Sequence, residues 1–175
     1  MRVGTCFNFL RNTKEVFNCN ENKVISNKFF DTMESKENKM VFVSAEINAP
    51  VEKVWKFWTT PDDIIQWNSA SDDWHTLRAE NDLRVGGKFN ARMEAKDGSM
   101  GFDFEGEYVN VIINQKIEYV LGDGRKVKVV FTVLSDRTEV VETFETENKN
   151  PIQMQRDGWQ AILDNFKKYV EANKQ

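Results

Sequence analysis

The chain has 175 residues, of which 40% are hydrophobic and 30% are charged, with a net charge of −4. This length and composition are typical of a globular protein that builds a core without disulfides or metal ions. The acidic balance argues against binding to nucleic acid, because neutralising phosphates needs clustered Lys and Arg. No run of residues approaches the length of a membrane span. We therefore expect a cytoplasmic protein that does not insert into a membrane.

Residues 1–39 differ in character from the rest of the chain. They carry seven asparagines and show neither the period of a strand nor that of a helix. They also contain both cysteines, Cys6 and Cys19, so the remaining chain can form neither a disulfide framework nor a thiol nucleophile. We expect a loosely ordered extension followed by a folded domain at residues 40–175. The alternative is a start-site artefact, since Met40 lies directly before the first predicted strand.

The predicted domain opens with one strand and two short helices. Apolar residues alternate with others from Val41 to Ile47, which predicts a strand. Pro50 is typical of a helix start. Thr60 is predicted to cap the second helix, with Asp62 and Asp63 in its first turn. The apolar residues of the two helices are Val51, Val54, Trp55, Trp58, Ile64, Ile65 and Trp67.

Six more strands are predicted, joined by short turns. Two of these turns have the Asp-Gly signature of a hairpin, at residues 97–98 and 123–124. Short hairpin connections predict a mostly antiparallel sheet. The predicted strands occupy residues 74–79, 88–95, 102–108, 117–121, 127–133 and 138–144.

The chain ends in a long amphipathic helix that begins at Pro151. Its stripe at helical spacing consists of Ile152, Gln155, Trp159, Ile162, Leu163, Phe166 and Val170. Gly158 inside this helix predicts a close approach of the helix to the sheet. The fold class is therefore α+β, and a long helix laid across a curved sheet encloses a space that can bind a ligand.

Four motifs resemble a known superfamily. They are Trp67-Asn68, the Asp-Leu-Arg-Val-Gly-Gly segment at 82–87, the glycine-flanked strand at 102–106, and Gly158-Trp159. Across residues 41–172 they resemble the START-like, or Bet v 1-like (SRPBCC), superfamily, and within it the branch named after the C-terminal domain of the activator of Hsp90 ATPase. This resemblance implies a helix-grip fold, in which a seven-stranded antiparallel sheet curves around the long helix. Similar proteins commonly hold lipids or other apolar molecules in the space between.

Strand parity and helix spacing predict which side chains face this space. Tyr108 and Tyr119 would each need a hydrogen-bond partner if buried, and are the expected polar anchors for a ligand. The alternative interpretation is a filled core, since protein interiors are close-packed. The predicted ligand-binding residues are Trp58, Trp67, Phe89, Met93, Phe104, Tyr108, Tyr119, Phe131, Glu142, Trp159, Ile162 and Phe166.

Two titratable residues are candidates for acid–base chemistry. His75 is the single histidine and is either a general acid or base or a surface residue of a strand. Because the predicted domain has one histidine and no cysteine, we expect no metal site. We expect no cofactor either. Glu142 faces inward if parity is kept, and burial would then raise its pKa; a β-bulge that flips the parity is the alternative. Arg125 and Arg156 would neutralise it or bind an acidic ligand.

We therefore expect a non-catalytic binder of an apolar small molecule or lipid, acting as a monomer or weak homodimer. Because some similar proteins are cyclases or dehydrases, an enzyme that uses Glu142, His75 or a tyrosine is one alternative. Because one eukaryotic branch stimulates Hsp90, a chaperone-interaction module with a role in the stress response is another.

Overall fold

The computed structural model describes residues 39–173 of the chain. The predicted N-terminal extension therefore lies outside the described residues, apart from Lys39. Seven strands and three helices occur within residues 39–173, in the predicted order. The strands are β1 (Met40–Ile47), β2 (Trp74–Asn81), β3 (Lys88–Ala95), β4 (Gly101–Ile112), β5 (Lys116–Leu121), β6 (Lys126–Leu134) and β7 (Arg137–Glu145). The helices are α1 (Val51–Thr59), α2 (Pro61–Trp67) and α3 (Ile152–Ala172).

All seven strands belong to one antiparallel sheet with the order β1-β7-β6-β5-β4-β3-β2. The sheet is curled into a half-barrel, which confirms the predicted helix-grip architecture of class α+β. The register shifts between Thr76 and Arg78 in β2 and between Tyr108 and Asn110 in β4. Because an irregularity of this kind bends a strand, both shifts favour curvature in this half of the sheet.

Helix α3 is held against the sheet by its apolar stripe. Leu163, Phe166 and Val170 are at most 1% exposed, and they recur every three or four residues, so they lie on one face of the helix. The opposite face is polar and exposed. Among the described residues, no helix is both long and apolar enough to cross a membrane.

The edge strand β1 is bound by a side chain of α3. The amide nitrogen of Gln160 donates to the carbonyl oxygen of Ser44 at 3.1 Å, and its amide oxygen accepts from the backbone N–H of Ser44 at 3.3 Å. In the last turn of α3, Glu171 accepts from the N–H of Asn48, directly after β1, at 2.9 Å. The helix therefore supplies partners for backbone groups of β1 that β7 does not reach.

Thr60 does not cap α2 with its side chain, and this part of the prediction is wrong. Its hydroxyl donates to the carbonyl oxygen of Lys56 at 2.7 Å, and its backbone N–H donates to the same oxygen at 3.0 Å. Thr60 ends α1 and begins α2 at once. The hydroxyl satisfies the end of the first helix, while Pro61 provides a helix start that lacks one N–H donor.

Gly106 makes room for an aromatic ring at the centre of the concave face. Its cross-strand partner is Phe89. A Cβ at position 106 would lie 2.8 Å from the Phe89 ring and 2.6 Å from the carbonyl oxygen of Val120. The Phe89 ring centroid lies 4.9 Å from that of Tyr119 and 5.2 Å from that of Tyr108. The missing side chain thus lets one ring connect β3, β4 and β5.

Gly158 was expected at a close approach of α3 to the sheet, and that expectation is wrong. A Cβ at this position would meet no atom within 4 Å. The glycine borders open space in the middle of α3, where most residues would be better helix formers.

The two glycines provide a matched test of this packing. Gly106→Ala should lower the free energy of unfolding by about 1–3 kcal/mol, because the new methyl group overpacks against backbone and a ring. Gly158→Ala should raise it by up to about 1 kcal/mol, because only helix propensity changes. Urea denaturation of the two variants and the wild type measures both effects. Changes of the same sign would contradict this description of the two sites.

Candidate ligand-binding cavity

A cavity of about 480 Å³ lies between the concave face of the sheet and the helices. This volume is within the range of sites that bind small molecules. Its walls are formed by β2 to β5 and β7, by the end of α1, by α2 and the loop after it, by the connections after β5 and β7, and by the N-terminal half of α3. Nine aromatic residues line it: Trp58, Trp67, Trp74, Phe89, Phe102, Phe104, Tyr108, Tyr119 and Trp159.

Ten of the twelve predicted ligand-binding residues border this cavity. Phe131 and Phe166 do not border it. Their rings pack behind Trp58, with centroids 5.7 Å and 4.8 Å from it. The domain therefore combines the two alternatives, with a filled core at one end and an open cavity at the other. The ten bordering residues are Trp58, Trp67, Phe89, Met93, Phe104, Tyr108, Tyr119, Glu142, Trp159 and Ile162; that they bind a ligand stays a prediction.

The helical wall of the cavity is held in place by hydrogen bonds to the backbone. The indole N–H of Trp67 donates to the carbonyl oxygen of Phe57 at 3.1 Å, which joins the end of α2 to α1. The Asn165 side chain of α3 donates to the carbonyl oxygen of Ser69 at 2.7 Å, in the loop after α2. Because the first bond fixes α2 to α1 and the second fixes the loop after α2 to α3, this wall is preorganised.

Gln155 is the polar residue in the apolar stripe of α3, and its role is structural. Its amide nitrogen donates to the carbonyl oxygens of Asn150 at 2.8 Å and Glu147 at 3.1 Å. Its amide oxygen accepts from the N–H of Glu147 at 2.9 Å. The buried amide thereby fixes the connection from β7 to α3, and with it one rim of the cavity.

Sequence reasoning missed two aromatic residues near the opening. Trp74 and Phe102 border the cavity with ring centroids 5.8 Å apart, and Phe102 is 47% exposed. Phe102 has the same parity as Phe104 in the strand predicted at residues 102–108, so the same alternation places it among the inward-facing residues. Trp74 likewise lies two residues before the buried Thr76.

Glu142 is the buried carboxyl group of the site. It pairs with Val43 in β1 and with Val129 in β6 in continuous register, so the alternative of a parity-flipping bulge is wrong. The residue is 5% exposed. The hydroxyl of Tyr119 donates to its Oε1 at 3.4 Å. Burial raises the pKa of Glu142 to about 8, and the Tyr119 bond opposes part of that rise. The group is therefore mainly protonated at neutral pH.

The two tyrosines have different partners. Tyr108 donates to the Asn81 side-chain oxygen at 2.8 Å, and Asn81 donates in turn to the carbonyl oxygen of Thr59 at 2.6 Å. Burial raises the pKa of the Tyr108 hydroxyl. Burial, followed by the nearby Glu142 charge, raises the pKa of Tyr119. Both hydroxyls thus have the hydrogen-bond partners that burial requires.

The remaining candidate side chains are placed differently. Arg125 borders the cavity, and its Nε donates to Asp123 at 2.8 Å. Arg156 is exposed on α3, and His75 faces away in β2 opposite Glu94; neither borders the cavity. His75 therefore cannot act on a molecule bound there. No group of three or more His, Cys, Asp or Glu residues within residues 39–173 is arranged to hold a metal ion.

A curled antiparallel sheet, a long C-terminal helix and a cavity between them define a START-like helix-grip domain. The chain belongs to the activator of Hsp90 ATPase homolog 1-like family, whose model matches residues 48–171. The predicted resemblance is thus confirmed. No curated protein matches the chain.

Solved structures agree with this assignment. The chain is similar to an AHSA1-like protein from Aeromonas hydrophila, with 46% identity over 77% of this chain and 93% of that one, at a TM-score of 0.73. It is also similar to a protein from Cytophaga hutchinsonii, with 51% identity over 76% and 92% and a TM-score of 0.67. A Nitrosomonas europaea protein at 18% identity covers 77% and 96% with a TM-score of 0.68 and shows the fold alone.

Burial of Glu142 predicts a pH-dependent stability. The ordinary pKa of 4.5 applies to the unfolded chain and the raised value of about 8 to the folded one. The folded state therefore binds the proton more tightly, and stability is lost as pH rises from the lower to the higher value, by an amount on the order of a few kcal/mol. Glu142→Gln should remove this loss, as measured by urea denaturation at about pH 5 and about pH 8.5.

Glu139→Gln is the control, because Glu139 lies on the other face of the same strand. This variant should keep the pH dependence of the wild type. An equal pH dependence in Glu142→Gln and the wild type would show that Glu142 is not the responsible group.

Proposed function

We propose that this protein binds an apolar small molecule or lipid in the cavity and acts as a carrier or sensor rather than as an enzyme. The observation that carries the proposal is the aromatic cavity of about 480 Å³. Close packing is the rule in protein interiors, and it is kept around Phe131 and Phe166. An open volume beside such a core needs another reason, and a bound molecule supplies one.

The lining fits a ligand whose affinity comes mainly from apolar burial. A molecule that buries roughly 400 Å² of apolar surface gains about 10 kcal/mol before the cost of association. That cost leaves an affinity in the micromolar range or weaker. Polar groups at the cavity wall then fix the orientation of the ligand.

The opening of the cavity has features that suit the entry of an apolar molecule. Phe102 is 47% exposed, and Met154, on the first turn of α3, is 64% exposed. A methionine side chain adapts its shape to what it contacts. Exposed apolar side chains beside an apolar cavity are typical of ligand-binding grooves.

Filling the cavity should abolish binding without unfolding the protein. Gly158→Trp adds a large side chain at a position where a Cβ meets no atom within 4 Å. Ile162→Trp enlarges a side chain one turn later, on the same wall of the cavity. Each should weaken binding of an environment-sensitive apolar dye by at least about tenfold. Arg156→Trp is the matched control, since this exposed residue does not border the cavity.

Fluorescence titration measures the affinities, and native mass spectrometry of protein purified from its host identifies a co-purified molecule. A wild-type protein that neither binds the dye nor is stabilised by a lipid extract would contradict the proposal. Equal weakening by the Arg156 variant would place the dye outside the cavity.

A second candidate, a cyclase- or dehydrase-like enzyme, is favoured by one observation. Glu142 retains its proton near neutral pH and accepts a hydrogen bond from Tyr119 inside the cavity, as a general acid requires. Recovery of a chemically altered ligand after incubation with the wild type, and of the unaltered ligand after incubation with Glu142→Gln, would support catalysis over simple binding.

A third candidate, a chaperone-interaction module of the stress response, is supported by the family description. A change in the ATP turnover of purified Hsp90 on addition of this protein would support it. A cytoplasmic location belongs to all three proposals.

A further inference from the structure

The charges around the cavity are predominantly negative. Its charged and titratable side chains are Glu80, Tyr108, Tyr119, Arg125, Glu142 and Glu147. Arg125 is the one basic residue among those described that border it. Two of its five N–H groups are engaged, because it donates to Asp123 at 2.8 Å and to the carbonyl oxygen of Glu145 at 3.4 Å. An anionic ligand such as a fatty acid would meet three acidic side chains and one basic side chain at the cavity wall.

The Glu142 carboxyl group has acceptor positions that no described side chain uses. Its Oε1 accepts from Tyr119, and within residues 39–173 no donor is bonded to Oε2. The residue is 5% exposed and borders the cavity. A carboxylate in such a place forms a strong, charge-assisted hydrogen bond with a cationic donor, because little water competes for it.

Aromatic residues share the cavity lining with this carboxyl group. Tyr119 is hydrogen-bonded to the same carboxyl group and packs against Phe89 at 4.9 Å between centroids. Trp159 stacks on Phe144 with 4.1 Å between the ring centroids. Phe144 follows Glu142 by two residues in β7 and lies on the same face of the strand. The faces of aromatic rings attract organic cations, most strongly where water is excluded.

We propose that the ligand is a lipophilic amine, bound as its cation with an N–H donated to Glu142 and its apolar groups against the aromatic walls. This inference rests on the proposed binding function.

Binding of a cation must be coupled to ionisation of Glu142. Burial raises the pKa of this group to about 8 in the empty cavity, and it raises the pKa of both tyrosines, which stay neutral. Hydrogen bonds from the backbone of Lys149 and Asn150 lower the pKa of Glu147, which stays ionised. The apparent affinity for a permanently charged ligand should therefore rise about tenfold per pH unit below about pH 8 and then level off.

Four probes with one phenylalkyl skeleton separate the contributions. They end in a dimethylamine, a trimethylammonium, a neutral isopropyl group or a carboxylate. At about pH 8 the dimethylamine, protonated there, should bind the wild type about tenfold to a hundredfold more tightly than the isopropyl compound. The carboxylate should bind most weakly. The trimethylammonium, which lacks an N–H, should lie between the amine and the isopropyl compound.

Glu142→Gln should remove the advantage of the amine while binding of the isopropyl compound changes by less than about twofold. Glu80→Gln removes a negative charge at the exposed rim and should keep most of that advantage. Thermal unfolding checks that both variants fold. The pH profile of trimethylammonium binding to the wild type tests the same carboxylate without any substitution.

The outcomes distinguish this inference from the function on which it rests. Equal binding of the amine and the isopropyl compound would overturn the amine inference and leave an apolar binder. Tightest binding of the carboxylate would also overturn it. Failure of every probe and of the apolar dye would overturn the proposed function as well.

Discussion

The arrangement of this domain depends on uneven contact between α3 and the curled sheet. In the C-terminal half of the helix, Leu163, Phe166 and Val170 are almost fully buried and fill the space beneath the helix. In the N-terminal half, Gly158, Trp159 and Ile162 border a cavity instead. One element thus closes the core at one end and leaves a binding volume at the other. The packed end provides stability, so the open end is free to remain unfilled.

The polar chemistry of the cavity follows from the register of β7. Two continuous antiparallel pairings hold this strand, so every second side chain from Thr138 to Phe144 points inward. That geometry places the Glu142 side chain on the apolar face of the sheet. Its buried carboxyl group is compensated by Tyr119 and by a raised pKa. A buried acid of this kind lowers stability near neutral pH, and buried groups with shifted pKa values cluster at functional sites.

The sequence was sufficient for the architecture and for most of the cavity wall. Alternation and turn signals predicted the seven strands, and parity alone identified inward residues such as Phe104 and Tyr119. Parity shows which face of the sheet a residue lies on, but it does not show whether that part of the face borders the cavity or the filled core. Phe131 and Phe166 face inward like the cavity residues, yet their rings pack against Trp58 of α1 and belong to the filled core. That distinction depends on the distance between two elements far apart in the chain.

Local rules failed where two structural demands met at one residue. Thr60 has the side chain of an N-cap, but the end of α1 competes for its hydroxyl. Gly158 suggested tight packing, and the structure has open space there instead. For Glu142, a bulge and a buried acid were both consistent with the sequence, and only the pairing partners in β1 and β6 decide between them.

The bond between Gln160 and Ser44 has a consequence for self-association. An open sheet has two edges, and an unpaired edge strand is a template on which another chain can add a strand. The Gln160 amide occupies both the N–H and the C=O of Ser44 in the middle of β1. An incoming strand would have to displace this side chain before it could pair along the edge. The helix that forms one wall of the cavity therefore also hinders aggregation through pairing of another strand with β1.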